Sequence, residues 1–380
     1  MRILYVCDAD GGGIAEYAIR QCRALRDEGA EVTVLCRSSF EVGRLAGLAV
    51  KPDLPAARAR HSFPAQRLFH QILDARSVAG TAAGEAAEGK YDFLLIACYA
   101  EYFAPFWAPL LRRAARRGAS IGTIAHDPVR DFVLGPAWWH RWSVRQAYSF
   151  VSHVFVHDNT SVDFGGPQPE HLATHVIPHG PFEVAAPRKD RAALRRDRGF
   201  GESDTVFLAF GQIRDGKNLD RFLRAMKELP ESVKLLVAGS GGSGSQRPPE
   251  YYKKLAAELG IGDRCIWDLR YVPDEETGDL FEVSDHLLLT YSAKFRSASG
   301  VLNTAVSCRK SVLATSGPGP LKTAVEGYSL GVFVAPDEDA AILEGARRLL
   351  AEPGRPEWGR YEQENSWEEN ARRVIDAFGR

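Results

Sequence analysis

The chain has 380 residues, 48 basic and 49 acidic side chains, and a net charge of −1. Apolar residues at 45% and charged residues at 26% are ordinary globular proportions and exclude wholesale disorder. A balance so close to neutral leaves no global field for holding nucleic acid, and at roughly 150 residues per domain the length fits two domains.

Residues 2–6 are a short apolar run suited to a strand buried on both faces. Over 14–28, Ile14, Tyr17, Ala18, Gln21, Ala24 and Leu25 share one stripe at helical spacing. Gly29 stops that helix, and 31–36 reads as the next strand. Further strands are expected at 93–98, 120–125, 153–157 and 175–178, with helices between them. The apolar stretch 93–111 carries Glu101 and two prolines, so it reads as a strand and a following helix rather than a membrane span. Residues 181–203 are charged and poor in apolar side chains, and read as a linker with a short Arg-rich helix. The pattern then restarts, with strands at 205–210, 233–238, 265–269, 286–291, 311–314 and 332–335 and helices at 219–229 and 251–259. The SGGSGS run at 240–245 reads as a flexible loop. Alternation of this kind implies two doubly wound, Rossmann-like α/β domains, 1–184 and 185–361, facing each other across a cleft. A terminal helix, 362–380, has Trp367 and Phe378 as anchors.

Six cysteines include no CxxC pair, and Cys7, Cys36 and Cys98 lie in apolar runs. Reduced core thiols and a reducing compartment are expected. The opening MRILYV reads as a strand rather than a signal peptide, so a cytoplasmic location is expected.

In open α/β sheets ligands bind beyond the carboxyl ends of the strands. The loop after the first strand, Asp8 to Gly13, opens a helix with three glycines that let a ligand approach the backbone. It lacks the third glycine of a dinucleotide fingerprint, since Glu16 stands there. Asp8 and Asp10 form a DxD pair by letters, and no metal site is assigned to them. The loop at 210–218 carries Arg214 and Lys217, a planar fork and a point charge suited to one diphosphate. The loop at 292–302 opens a second helix with small residues at its entry, which leaves backbone amides open for an anion. His126 ends the strand at 120–125 and can orient a hydroxyl or accept its proton, whereas His157 reads as structural. Arg112 to Arg117 and the Trp138-Trp139-His140-Arg141-Trp142 run are basic and aromatic, and suit either helix packing or a membrane surface.

The order of these loops, with VIPHG, FGQIRDGKNLD, SGVLNTAVSCRKSVLAT and LGVFVAPD, resembles glycosyltransferase family 4, retaining transferases of GT-B architecture. The resemblance implies a nucleotide-diphosphate sugar as donor and an acceptor hydroxyl on a glycan, a lipid-linked carrier or a small molecule. It implies no cofactor and no metal, and a peripheral membrane contact is compatible with it. Arg214 and Lys217 fall on the basic pair that holds the diphosphate, and His126 on the histidine near the transferred sugar. Gly12 and Gly13 fall on the N-terminal loop, and Ser299, Gly300, Val301 and Leu302 on the loop whose amides bind phosphate. Tyr271 and Val272, after the strand at 265–269, complete the donor-binding set. The family's two glutamates, which contact the sugar and the ribose, are replaced by Arg296 and Thr304. Two alternatives remain open: an inverting transferase or epimerase with Glu101 or His126 as base, and a non-catalytic sugar-nucleotide-binding scaffold.

Overall fold

The structure is a computed structural model, described over residues 1–58, 63–130, 133, 135–159, 161–241, 246–352 and 354–379. Most of the loop expected at 240–245 lies outside the described residues. The chain divides into two units, Met1–His179 with Ser366–Arg380, and Gly180–Asn365. The sequence reading drew these divisions at 184/185 and 361/362.

The first unit is built on a seven-stranded sheet: β1 (Arg2–Val6), β2 (Glu31–Arg37), β3 (Ala49–Leu54), β4 (Phe93–Ile96), β5 (Ser120–Ile124), β6 (His153–Val156) and β7 (Ala173–Val176). The spatial order is β3-β2-β1-β4-β5-β6-β7, with every neighbouring pair parallel. Ile3, Leu4, Tyr5 and Val6 of β1 are buried, alternately supplying one core on each face. The pattern missed β3, whose sequence AVKPDL is broken by a proline and two charges. Such a strand is tolerated only at a sheet edge, where β3 lies.

The second unit holds a six-stranded sheet: β8 (Thr205–Phe210), β9 (Val233–Ala238), β10 (Cys265–Asp268), β11 (His286–Thr290), β12 (Ser311–Thr315) and β13 (Gly331–Phe333). Its order is β10-β9-β8-β11-β12-β13, again parallel throughout. In both units the strand order reverses beside the first strand, at β1/β4 and at β8/β11. Those two points leave crevices at the carboxyl ends of the strands. The apolar stretch 93–111 resolves into β4, a loop and the start of the helix Ala104–Arg116. No described helix is long and apolar enough to cross a membrane.

The helix Trp367–Phe378 returns to the first unit and completes its core. Ser366 caps it by accepting from the Glu369 amide. Phe378 stacks on Phe93 with ring centroids 4.3 Å apart. A methyl group on Gly122 would sit 2.7 Å from Phe378 Cζ, so β5 must carry glycine for the helix to seat. Asn370, fully buried, accepts from Gln21 Nε2 at 2.8 Å and donates to the Tyr17 hydroxyl at 2.9 Å and the Pro178 carbonyl at 2.6 Å. Gln21 in turn accepts from the Tyr5 hydroxyl at 2.8 Å. Asn370 links this network to Tyr17 and to the Pro178 carbonyl, so its loss leaves the buried Gln21 amide and the Pro178 carbonyl each short of a partner. Asn370→Ala should destabilise the chain by about 2–4 kcal/mol in urea unfolding followed by circular dichroism.

Candidate functional site

In the second unit, β8 ends at Phe210 and the chain turns through Gly211, at φ 83°, toward Arg214. A one-turn segment, Asp215–Lys217, leads to Asn218 and the helix Leu219–Met226. Leu219, Phe222, Leu223 and Met226 bury that helix and fix the loop's exit. The loop folds back, so that Lys217 Nζ donates to the Phe210 carbonyl at 2.6 Å. Burial, and then the neighbouring Arg214, depress the Lys217 ammonium to a pKa of about 7. Among the described residues no acid pairs with either cation. The strand next door makes this fold possible: a methyl on Gly239 would collide with the Gly211 carbonyl oxygen at 2.0 Å.

The loop after β11 shares the same corner. A methyl on Gly211 would lie 3.5 Å from Lys217 Nζ and 4.0 Å from Val301 Cγ2. Gly300 and Val301 are the first two residues of the helix Gly300–Ser307, and their amides have no acceptor within it. Ser299 is the cap: its Oγ accepts from the Leu302 amide at 3.3 Å and lies 3.1 Å from the Tyr291 hydroxyl. The Leu302 amide is thus already engaged, whereas the entry had been read as open through 299–302.

Thr304 donates to the Gly300 carbonyl at 3.1 Å, so its hydroxyl serves its own helix. The two loops are tied together by Asp337, which accepts from Asn218 Nδ2 at 2.9 Å and from the Ala293 amide at 2.8 Å. Asn218 holds a left-handed backbone, φ 50°, which asparagine tolerates. Two further bonds join the loops: Ser292 N to the Gly216 carbonyl at 2.9 Å, and Thr290 Oγ1 to the Lys217 carbonyl at 2.8 Å. Arg296 lines an adjoining cavity. Tyr271 is 71% exposed, whereas the Val272 side chain packs in the core and leaves only its backbone for a ligand.

In the first unit, Gly12 and Gly13 begin the helix Gly12–Asp27, with no side-chain cap and no acid in the first turn. Substituting methyls on Gly11, Gly12 or Gly13 would meet nothing within 4 Å, so this helix start is open. His126, His157 and His179 follow β5, β6 and β7 and gather around Tyr17, with ring centroids 4.7, 5.3 and 5.0 Å from it. His126 Nδ1 lies 3.5 Å from His157 Nε2, and His157 Nδ1 lies 3.2 Å from the Ile177 carbonyl. Burial lowers His126 to about 4, opposed by Asp127, and holds His157 well below its usual range. Both rings are therefore neutral near pH 7, and His126 Nε2 has no hydrogen-bond partner among the described residues.

Glu101 has both carboxylate oxygens on the Arg130 guanidinium and a further bond, at 3.0 Å, from the Tyr148 hydroxyl. That carboxylate is structural and is not available as a base. Asp8 accepts from the Cys98 thiol at 3.2 Å and faces Arg37 at 3.9 Å. No group of three or more His, Cys, Asp or Glu side chains among the described residues is disposed to hold a metal.

The sequence had singled out Arg214, Lys217, Gly300, Val301 and Arg296, all of which fall on the two coupled loops. It had passed over Asn218 and Asp337, which couple them, and Tyr17 and His179, of which the first packs on His126 and the second on Tyr17. Asn218 next to Lys217 and the aspartate of APD were visible letters, but their meeting is tertiary.

Residues 190–374 match the family described as glycosyl transferases group 1. In fold the chain is of GT-B type, and in sequence it resembles a group 1 glycosyltransferase. A D-inositol 3-phosphate glycosyltransferase of Nocardia farcinica is 24% identical over 390 residues, spanning 91% of this chain and 78% of that protein. Its counterpart in a Mycobacterium species (strain KMS) is 32% identical over 146 residues, 38% of this chain and 32% of that protein. Among solved structures, Anabaena Alr3699/HepE in complex with UDP aligns with a TM-score of 0.73 at 16% identity, covering 100% of both chains. Sucrose-phosphate synthase from Thermosynechococcus elongatus aligns at 0.69 and 16%, covering 100% of this chain and 98% of that one.

The Lys217 shift has a consequence for stability. Its folded pKa lies near 7 and its ordinary value is 10.5, so between those limits the unfolded chain binds more protons. The burial penalty is fully present below about pH 7 and is relieved as pH rises toward 10.5. Lys217→Met should flatten that rise in urea-unfolding free energy measured across the same window.

Proposed function

We propose that the chain transfers a sugar from a nucleotide-diphosphate sugar to an acceptor hydroxyl, with retention of configuration and without a metal. The observation that carries this reading is the corner at the β8/β11 reversal, where Lys217 and Val301 flank Gly211, Arg214 acts electrostatically on Lys217, a helix start lies alongside, and among the described residues no acid pairs with either cation. Such donors match the charge that develops on a leaving diphosphate. An arriving diphosphate raises the Lys217 pKa again, so above pH 7 binding takes up a proton. The HepE structures with UDP and with UDP-glucose support a uridine nucleotide as the first to try.

His126 is neutral, and its Nε2 has no partner among the described residues but is covered by protein, so it serves to orient a substrate hydroxyl only once that cover shifts. The engagement of Glu101 by Arg130 and Tyr148 favours retention over an inverting mechanism that would need this carboxylate as base. A phosphate oxygen of the donor then receives the acceptor's proton, so no dedicated protein base is required.

We also propose that the first unit touches an anionic membrane surface through the helix Ala137–Tyr148. Trp138 and Trp142 are 60% and 44% exposed on it, Phe106 lies 6.0 Å from Trp139, and Arg141 stands beside them. Exposed tryptophan next to arginine suits the headgroup region of a bilayer.

UDP, GDP, ADP and dTDP and their sugars, screened by thermal shift, should give one nucleotide series that stabilises the chain by about 3 kcal/mol at large excess over Kd. Arg214→Ala with Lys217→Ala should abolish that shift, and transfer in EDTA should yield a product of unchanged anomeric form by NMR. Sedimentation with phosphatidylglycerol vesicles should exceed that with phosphatidylcholine, and Trp138→Ala with Trp142→Ala should weaken it about tenfold.

A further inference from the structure

We propose that the cavity at the carboxyl ends of β12 and β13 is an anion-accepting subsite for a carboxylate or phosphate borne by the sugar part of a substrate. This rests on reading the second unit as the donor-binding one. The cavity encloses about 550 Å³, and its walls include Arg296, Lys322, Ser316, Phe333 and Glu326. It opens on the same 292–302 loop that supplies the Gly300 and Val301 amides.

Three features make it a built site. First, Arg296 is pressed against the turn that follows β12. A methyl on Gly317 would lie 3.2 Å from Arg296 Cγ, and one on Gly319 would lie 2.8 Å from the Arg296 carbonyl oxygen. The turn carries glycine where the arginine stem and backbone need the space. Second, Lys322 Nζ sits 5.6 Å over the Phe333 ring, so a second cation stands at the wall on an aromatic platform. Neither cation forms an ion pair among the described residues. Glu326 is the one carboxylate among the described lining residues, which leaves a net charge of +1 from these three side chains. Third, the cavity is coupled to the diphosphate corner. Ala293 lines it, and the Ala293 amide is held by the same Asp337 carboxylate that holds Asn218.

An arginine with no acid beside it in a concave wall is matched by a group offering two oxygens in a plane. A neutral hydroxyl offers a single oxygen to such a fork and leaves its charge unanswered. Two sources can bring the same oxyanion: a donor whose sugar is a uronic acid, or an acceptor that is a sugar phosphate.

Isothermal titration of the full chain at one ionic strength decides between them. UDP-glucuronic acid is compared with UDP-glucose, and, in the presence of UDP, glucose 6-phosphate with glucose. In one of the two pairs the charged member should bind at least about tenfold more tightly than its neutral partner. Arg296→Ala with Lys322→Ala should bring that ratio to about one. Arg296→Gln, which keeps the side-chain stem, should reduce it to an intermediate value while leaving the circular dichroism spectrum unchanged.

Ratios near one for both pairs in the unmodified chain would overturn the proposal, as would a preference that survives the double variant. A failure of the donor reading shows itself differently: UDP would bind no more weakly after Arg214→Ala with Lys217→Ala. The sugar-phosphate pair, titrated without UDP, would then still decide the subsite.

Discussion

Two cations held close in one corner, with no acid paired to either among the described residues, are the constraint around which the second unit is built. Arg214 and Lys217 repel each other, and burial penalises the ammonium further. The loop keeps them there because its geometry is fixed from outside: Asp337 grips both neighbouring loops, Asn218 accepts a left-handed backbone, and Gly239 clears the way for the Gly211 carbonyl. The cost is recovered when an anion arrives. A site that is electrostatically incomplete when empty is one whose ligand is part of its stable form.

The first unit handles polarity in the opposite way. Two of its buried polar networks are satisfied among themselves, through Tyr5, Gln21, Tyr17 and Asn370 on one side and Glu101, Arg130 and Tyr148 on another. Against that background the free Nε2 of His126 stands out. Its neighbours His157 and His179 make aromatic contacts to Tyr17, and burial holds His157 neutral while its Nδ1 faces a carbonyl.

Most of the fold was legible in the letters because doubly buried parallel strands read as plain apolar runs. β1, β2, β4, β5 and β6 and all six strands of the second sheet fall within a residue or two of the expected positions. β3 was not legible: an edge strand needs only one neighbour and tolerates Pro52, so it lacks the signal that burial imposes. β7 lies two residues earlier than read, its exposed start, Ala173 and Thr174, being paired only with β6. The candidate site was legible where its chemistry sits on one loop, as with Arg214 and Lys217. Asp337 was illegible, because its role arises from contacts with residues 119 and 44 positions away. Val272 shows the converse, a position expected to meet a ligand whose side chain the core takes up, leaving its backbone for that role.

The helix that closes the first unit's core is also made only after the whole of the second unit. While the ribosome is still decoding the second unit, Phe93, Gly122 and Tyr17 lack the partners that Phe378 and Asn370 provide. The second unit, Gly180–Asn365, is uninterrupted in sequence and can mature first. Birth order and completion order are thus reversed: the half that emerges earliest waits longest, and its unfinished apolar face is what the nascent chain must shield from aggregation.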